Sequence, residues 1–366
     1  MSPAGPIDEP RRVGIVGAGP AGAFLARLLA DDGIKVEVYD GATRLALKPC
    51  GWGLPYSVEK ILRVPGDAIL VRVTGYKVYA DGNLSKVSHG KFYGYIVDKE
   101  TLLKDLLEGI EVVRRWVTPE KLQAQGYDLV VDARGHISYH GRKVLALQVE
   151  GRLEEIAEDE IQVYFLSEIV GYAWVFPLGN GKVKVGVGGT GDYNLLLNIL
   201  DRLLRKIQLE NPSPVRGSPI AVGGLTSHLK GTFYRIGEAM GAVMPLSGEG
   251  IRPSFITALA LYEELTGHSG FQETLSRFLL DLNLNLQLAI LQTLERSTPK
   301  ERIAFFEGAS QEILERVTAG ELTKSFLAYA VTRWPGFFAR VAKLAGKNIQ
   351  LKQLLTGSSN EHEDAA

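Results

Sequence analysis

Residues 12–22 read Arg-Val-Gly-Ile-Val-Gly-Ala-Gly-Pro-Ala-Gly, and the architecture of the chain follows from them. The apolar residues before Gly17 predict a short buried strand, and Gly17, Gly19 and Gly22 have the spacing of a glycine-rich turn. Apolar residues at helical spacing come next, and residues 35–40 alternate as a second strand. A strand, a helix and a parallel strand in this order predict an α/β fold. The turn between them would present a helix N-terminus to a phosphate group.

An acidic residue at the end of the second strand supports a dinucleotide site. Asp40 lies 18 residues after Gly22, close to the spacing of about 20 at which an acid binds a ribose hydroxyl. A carboxylate here would repel a 2′-phosphate, so the pattern favours FAD or NAD over NADP.

A third stretch favours FAD. Residues 235–241 read Arg-Ile-Gly-Glu-Ala-Met-Gly, and residues 245–251 read Pro-Leu-Ser-Gly-Glu-Gly-Ile before a predicted helix. This pattern resembles the second flavin motif of the glutathione-reductase-type FAD fold, whose acid, usually Asp and here Glu238, binds the ribityl chain. Asp132-Ala133-Arg134-Gly135 resembles the short segment between the two motifs. Three such pieces in order predict FAD as the cofactor.

A second glycine motif does not predict a nicotinamide site. Residues 186–191 read Gly-Val-Gly-Gly-Thr-Gly, but the strands before them look antiparallel. The acid-terminated strand that a second dinucleotide unit needs is also missing. The motif therefore indicates a glycine-rich strand lying under a flavin or a substrate, where glycine permits close approach.

Composition excludes several classes of protein. The chain has 366 residues, 45% of them hydrophobic, and a net charge of −1. An intrinsically disordered chain is excluded, and a near-neutral charge gives no support for nucleic-acid binding. One cysteine excludes an intramolecular disulfide framework. No apolar run of about 18 residues appears, and residues 1–10 lack the apolar core of a signal peptide, so a cytoplasmic protein is expected.

The predicted strands and helices indicate an α/β (α+β overall) protein in which a discontinuous GxGxxG FAD-binding domain carries an inserted antiparallel-sheet substrate domain. A helical region follows at the C-terminal end. The expected boundaries are a flexible N-terminus at 1–10, the FAD-binding domain at 11–75, 96–140 and 228–265, the substrate domain at 76–95 and 141–227, the helical domain at 266–356, and a flexible tail at 357–366.

The sequence resembles the geranylgeranyl reductase family of FAD enzymes, including the archaeal reductases of isoprenoid lipids. Lys48-Pro49-Cys50-Gly51-Trp52-Gly53 matches a loop of that family, and Tyr172-Ala173-Trp174-Val175-Phe176-Pro177 matches its Tyr-x-Trp-x-Phe-Pro signature. Gly186-Val187-Gly188 matches the downstream Gly-x-Gly, and Gly248-Glu249-Gly250-Ile251 matches the flavin-end motif. The resemblance covers roughly residues 10–265.

That resemblance implies a set of FAD contacts. It assigns the phosphate loop, the ribose acid, the loop beside the isoalloxazine, an adenine contact and the flavin-end motif. Lys99 follows Val-Asp where the family usually has Arg. The implied cofactor-binding residues are Gly17, Gly19, Ala21, Gly22, Asp40, Cys50, Gly51, Gly53, Lys99, Val117, Glu238, Gly250 and Ile251.

Cys50 is the candidate catalytic residue. A lone cysteine is more often a small buried hydrophobe, but the family loop places this one beside the flavin. The resemblance implies that reduced flavin N5 gives a hydride to an alkene carbon, with Cys50 or water giving the proton. A structural role, or tuning of the flavin, remains the alternative.

Tyr172, Trp174 and Phe176 alternate, so all three project from one face of a strand. Such a stripe indicates either a hydrophobic core face or, by the resemblance, the aromatic wall of a substrate pocket. Aromatic faces stabilise a cation by about 0.5–2 kcal/mol each, which suits positive charge developing on carbon.

Other features bear on metals and membranes. The six histidines are scattered without metal-ligand spacing, so no metal site is predicted. A basic segment with interleaved aromatic residues indicates either a peripheral contact with an anionic membrane or an ordinary core-packed helix. Its members are Lys324, Arg333, Arg340, Lys343, Lys347 and Lys352, against the single acid Glu321.

Three functions compete. The first is FAD-dependent reduction of double bonds in the polyprenyl, chiefly geranylgeranyl, chains of membrane lipids or their precursors. The second is a flavin monooxygenase or halogenase acting on an aromatic substrate, and the third is a non-enzymatic flavin or lipid carrier. The first predicts an isoprenoid lipid or prenyl diphosphate substrate. Because no second dinucleotide domain or iron–sulfur cysteine set is visible, it also predicts an external electron donor, ferredoxin or NAD(P)H.

Overall fold

The computed structural model describes residues 12–345, so the flexible ends expected at 1–10 and 357–366 lie outside the described residues. The strands within this range are β1 Val13–Val16, β2 Val36–Tyr39, β3 Gly53–Pro55, β4 Ile69–Ala80, β5 Asn83–Val97, β6 Glu111–Val113, β7 Leu129–Asp132, β8 Lys143–Arg152, β9 Glu160–Phe165, β10 Gly171–Gly179, β11 Lys182–Gly189, β12 Arg216–Ala221, β13 Leu229–Lys230 and β14 Phe233–Arg235. The helices are α1 Pro20–Asp31, α2 Lys99–Leu106, α3 Pro119–Ala124, α4 Tyr193–Lys206, α5 Ile251–Thr266, α6 Phe271–Arg277, α7 Leu280–Glu295, α8 Pro299–Gly308, α9 Gln311–Ala319, α10 Lys324–Arg333 and α11 Pro335–Ala345.

A six-stranded sheet carries the glycine-rich turn. Its strand order is β13-β14-β7-β1-β2-β6, and every pairing is parallel except β13 with β14. The central strands β1 and β7 are fully buried apolar runs, as expected for parallel strands covered on both faces. Helices α1 and α5 pack on this sheet, with the Phe24 and Phe255 rings 5.1 Å apart. The carboxyl ends of its parallel strands therefore meet at one edge, where ligands of such sheets bind.

The second sheet has eight strands in the order β12-β8-β11-β10-β9-β4-β5-β3. All its pairings are antiparallel except that of β4 with β9. Helix α4 covers part of one face with Leu196, Ile199 and Leu200. The side chain of Asp192 caps this helix by accepting the Leu195 N–H at 2.8 Å.

Of the helices that follow α5, α6 packs against α5, and α8 packs over the eight-stranded sheet. The rings of Phe165 on β9 and Phe306 on α8 stack with centroids 3.8 Å apart. Helices α7, α9, α10 and α11 form their own apolar cluster around Phe326 and Phe337. The expected fold class is confirmed. The domain boundaries stay a prediction; those at 75/76 and 95/96 fall inside β4 and β5.

Candidate active site

The glycine-rich turn after β1 leaves an open approach to its backbone. Gly17 has φ +114°, and a side chain there would meet the Ala133 carbonyl. A Cβ on Gly22 would lie 1.9 Å from the Gly17 oxygen, so the turn and α1 need glycine at both positions. Gly19 differs, because a Cβ there would meet nothing within 4 Å. The free space borders the first turn of α1, which has no side-chain cap, and a pyrophosphate fits it.

The Asp40 carboxylate bridges the turn that follows β1 and the segment that follows β2. It accepts the Ala18 N–H at 2.8 Å and the Ala42 N–H at 2.7 Å. The predicted ribose ligand therefore lies beside the predicted phosphate turn. Val117 is buried against Tyr39, at the end of β2. Asp40 and Val117 both lie at the edge of the six-stranded sheet where the glycine-rich turn opens.

Three charged residues from distant parts of the chain meet at the predicted flavin end. Lys48 Nζ lies 2.5 Å from Glu238 Oε2, and the Ala221 N–H donates to Glu238 Oε1 at 3.1 Å. Lys99 is buried, donates to the Lys48 carbonyl at 2.9 Å, and has its pKa lowered by that burial. Glu238, which stands where the family usually has Asp, thus reaches the Lys48 loop.

The Cys50 loop lies on the eight-stranded sheet. Cys50 is half-buried, and a Cβ on Gly51 would lie 3.0 Å from the Phe176 ring. Trp52 adopts φ +66°, a left-handed conformation unusual for a bulky side chain. Lys184 on β11 lies under the loop, with Nζ over the Trp52 ring and 3.3 Å from the Cys50 carbonyl oxygen. Its side chain is 1% exposed, and burial lowers the pKa of Lys184 to about 7.

The three signature aromatics share one face of β10, as predicted. The ring centroids of Tyr172 and Trp174 are 5.9 Å apart, and those of Trp174 and Phe176 are 6.2 Å apart. The Tyr172 hydroxyl donates to the Ser247 carbonyl, and burial raises the pKa of that hydroxyl. Trp174 Nε1 is buried without a hydrogen-bond partner. Buried donors usually have a partner, and water or a bound group could supply the acceptor at this position.

Gly186, from the second glycine motif, makes room for Trp174. A Cβ at this position would lie 2.2 Å from the indole ring. Its strand, β11, lies between two antiparallel neighbours, β8 and β10. Residues 186–189 of the motif therefore belong to a strand of an antiparallel sheet, as the sequence indicated, and the flavin or substrate expected above that strand stays a prediction.

One cavity of about 720 Å³ joins these parts. It begins at the predicted flavin end, passes the Cys50 loop and the aromatic face, and continues between the eight-stranded sheet and α7 to α11. Of the predicted site residues, those that line it are Cys50, Gly51, Gly53, Lys99, Tyr172, Trp174, Phe176, Glu238, Gly250 and Ile251. Those at the adjoining edge of the six-stranded sheet are Gly17, Gly19, Ala21, Gly22, Asp40 and Val117. Their individual roles stay predictions.

Sequence reasoning missed several residues of this site. Lys48 and Lys184 were not singled out as participants, and neither was the buried pair of Glu249 with Arg252. That pair is bidentate at 3.0 and 2.8 Å, and burial raises the pKa of Glu249. The spacing of three residues across the start of α5 was the only local signal for it.

Two further observations concern metals and membranes. Within residues 12–345, no three His, Cys, Asp or Glu side chains come together as a potential metal site. In the same range, no helix combines the length and the apolar character needed to cross a bilayer.

An FAD molecule fits this arrangement. The turn at Gly19 is open for a pyrophosphate, Asp40 lies beside it for a ribose, and the cavity begins where Glu238 and Ile251 meet the Cys50 loop. When bound, the cofactor would bridge the edge of the six-stranded sheet and the aromatic face of the other sheet.

Comparisons with known proteins find a matching domain model and several similar reductases. A family model described as an NAD(P)-binding Rossmann-like domain matches residues 15–49. A menaquinone reductase of Mycobacterium tuberculosis is 25% identical over 305 residues, covering 67% of this chain and 74% of that protein. A digeranylgeranylglycerophospholipid reductase of Methanosphaera stadtmanae is 27% identical over 294 residues, covering 67% and 72%. A geranylgeranyl diphosphate reductase of Synechocystis is 26% identical over 294 residues, covering 66% and 71%. This chain is a relative of the geranylgeranyl reductases.

Solved structures share its fold. A geranylgeranyl bacteriochlorophyll reductase-like protein of Thermoplasma acidophilum has a TM-score of 0.73 at 17% identity, covering 91% of this chain and 99% of that chain. A flavin-dependent brominase has a TM-score of 0.64 at 15% identity, covering 85% and 93%. The family resemblance, FAD as the cofactor and the class of FAD-dependent oxidoreductase are confirmed.

Proposed function

We propose that this protein reduces carbon–carbon double bonds in polyprenyl, chiefly geranylgeranyl, chains. One observation carries the proposal: a single, largely apolar cavity runs from the predicted flavin end past the aromatic face and on between the sheet and the helices. An apolar cavity with few polar groups suits a long hydrocarbon chain. The relatives' names contain a quinone, a phospholipid and a diphosphate, molecules that share a polyprenyl chain and differ in their polar heads.

The chain's own residues would bind and orient the alkene. Reduced FAD, when bound, supplies a hydride equivalent to one alkene carbon, and the other carbon needs a proton. Cys50 borders the cavity and is the candidate donor of that proton from Sγ. Trp174 and Phe176 line the wall beside it, exclude water and offer ring faces to developing positive charge.

The electrons would come from an external donor, ferredoxin or NAD(P)H. A peripheral contact with an anionic membrane would suit a lipid substrate. Lys324, Arg333 and Arg340 are exposed on α10 and α11 and support that contact, while Lys347 and Lys352 of the same basic segment lie outside the described residues.

An anaerobic turnover tests the function. The FAD-loaded protein would be reduced with dithionite, mixed with geranylgeranyl substrates and analysed by mass spectrometry. Products heavier in steps of two hydrogens, with flavin reoxidised in proportion, are expected. Unsaturated substrate recovered intact from reduced protein would refute the proposal.

The monooxygenase or halogenase alternative is answered by the same preparation. Reduced protein would be exposed to oxygen, with and without halide, in the presence of aromatic substrates. Products carrying oxygen or halogen would favour that alternative, since a shared fold does not fix the reaction.

A further inference from the structure

The cavity has a second polar region besides the predicted flavin end. It is formed by Tyr76 of β4, Lys91 and Tyr93 of β5 and Glu315 of α9, which we call the Glu315 cluster. Lys91 Nζ donates to Glu315 Oε2 at 2.5 Å. The hydroxyls of Tyr76 and Tyr93 donate to Glu315 Oε1 at 3.1 and 3.2 Å. The cluster therefore presents to the cavity a carboxylate already paired with Lys91 and two tyrosine hydroxyls whose protons point to that carboxylate.

The Glu315 carboxylate stays charged at neutral pH. Burial acts to raise the pKa of Glu315, but the hydrogen bonds from Lys91 and Gln311 leave that pKa below its ordinary value. Burial, with Glu315 next in effect, raises the pKa of the Tyr76 hydroxyl, which keeps its proton. The ion pair of Glu315 with Lys91 and two neutral hydroxyls thus border the same space.

The described cations of the cavity wall are already engaged. Lys91 lies against Glu315, and Arg316 Nε lies 3.4 Å from Glu312 Oε1. At the flavin end, Lys48 lies against Glu238, and buried Lys99 donates to a backbone carbonyl. A phosphate is normally held by free Arg or Lys side chains or through a metal. No potential metal site is found among residues 12–345.

A diphosphate in this cavity would have to share Lys91 with Glu315, Arg316 with Glu312 or Lys48 with Glu238, so part of its charge would stay unpaired. Burying such a charge unpaired costs several kcal/mol. An uncharged head meets no such cost, because its hydroxyl can donate to a tyrosine oxygen and its hydroxyl or carbonyl oxygen can accept from a second N–H of Lys91. The Glu315 cluster therefore suits an uncharged, oxygen-bearing group.

We infer that the substrate carries its prenyl chain on an uncharged head with a hydroxyl or carbonyl group, and that Glu315 selects against phosphate and diphosphate heads. This inference rests on the proposed prenyl reduction and narrows its substrate class.

Two ligands with the same C20 chain test it. Geranylgeraniol and geranylgeranyl diphosphate would be compared in one detergent, with and without Mg²⁺, on reduced FAD-loaded protein. We expect kcat/KM to be at least about tenfold higher for the alcohol, the effect of one charged hydrogen bond. Equal or preferred use of the diphosphate would overturn the inference and leave the reductase function standing.

Binding measurements distinguish a failure of the head-group inference from a failure of the proposed function. Isothermal titration of both ligands into the oxidised FAD-loaded protein measures head preference without turnover. If neither ligand is reduced, the proposed function fails, while tighter binding of the alcohol still supports the selection by Glu315. Tighter binding of the diphosphate contradicts that selection.

The variant Glu315→Gln addresses the residue itself. It keeps the size of the side chain, removes the charge and frees Lys91, so the alcohol-to-diphosphate preference is expected to fall about tenfold. Glu273→Gln, the same change at an exposed position of α6, is the matched control and should leave the preference unchanged. An unaltered preference in folded Glu315→Gln would contradict the assignment; if that variant does not fold, the wild-type comparison decides.

Discussion

The Cys50 thiol borders the cavity from a loop whose backbone is held by Lys184. We expect Cys50→Ala to bind FAD normally and to reduce prenyl double bonds about 100-fold more slowly, the lower range for loss of a general acid. The measurement is the single-turnover rate at which substrate reoxidises the reduced flavin.

Cys50→Ser is the companion variant, because it keeps the size and a transferable proton. It should recover part of the rate lost in Cys50→Ala. A Cys50→Ala protein that turns over as fast as the wild type would show that the thiol has only a structural role.

Lys184 makes the stability of the protein depend on pH. Its pKa is about 7 in the folded protein, where burial disfavours the charged form, and about 10.4 in the unfolded chain. Between these values the unfolded chain binds more protons, so the free energy of unfolding contributed by this group rises with pH from about 7 to about 10. Below pH 7 the folded protein carries the full cost of the buried charge.

The Tm measured from pH 6 to pH 9 should therefore rise more steeply for the wild type than for Lys184→Met. Lys182→Met changes the exposed lysine two residues earlier on β11 and should leave the wild-type slope unchanged. Parallel slopes for the wild type and Lys184→Met would contradict a lowered pKa.

At the scale of single elements, β11 is shaped by the ring that lies on it. A Cβ on Gly186 would lie 2.2 Å from the Trp174 ring and 2.7 Å from the Leu147 carbonyl oxygen. We expect Gly186→Ala to displace the indole and to lower the free energy of unfolding by about 1–3 kcal/mol, the usual cost of overpacking. Chemical denaturation measures that loss.

Gly188→Ala provides the comparison on the same strand. Its Cβ would come only to 3.2 Å from the Ala146 Cβ and 3.6 Å from the Trp174 ring, so a smaller loss is expected. Equal losses in the two variants would argue against a specific clash at Gly186.

Local patterns predicted most elements. The β1–α1–β2 unit could be identified because its apolar runs and glycines are contiguous, and the alternation of residues 172–176 gave the aromatic face directly. The burial of Lys184 could not be predicted, since Lys182-Val183-Lys184 alternates like a solvent-facing strand. Its burial depends on Trp52, which is 132 residues away in the sequence.

At the scale of the whole molecule, FAD would connect the two sheets, so its binding should stabilise the entire fold. At free FAD of 100 times Kd the expected gain is about 2.7 kcal/mol. Removing FAD should lower the Tm, and adding it back should restore the Tm. Thermal denaturation across an FAD titration measures both effects.

Gly19→Val tests where this stabilisation arises. Because a Cβ on Gly19 meets nothing within 4 Å, the cofactor-free variant should keep the cofactor-free Tm. The side chain would occupy the predicted pyrophosphate space, so the FAD-dependent gain should disappear. Gly66→Val, at another open glycine, should retain that gain. An undiminished gain in Gly19→Val would place the pyrophosphate elsewhere.

The cavity as a whole could be predicted only in part. Motifs in the sequence predicted that Cys50, the aromatic face and Glu238 belong to one site, and all of them line the cavity. It did not predict the Glu315 cluster, because Tyr76 and Glu315 are 239 residues apart and lie in segments without a motif. Contacts between the sheet and the C-terminal helices depend on tertiary packing, which local patterns do not encode.

The positions of the tryptophans give the molecule an optical consequence. Of its four indoles, Trp52 and Trp174 line the cavity, whereas Trp116 and Trp334 do not. Indole emission overlaps flavin absorption, so the fluorescence of the two cavity tryptophans should be quenched when FAD binds. Emission from Trp334, which packs among the C-terminal helices, should be quenched less. Tryptophan emission should therefore report the fraction of the protein that has FAD bound, without an added label.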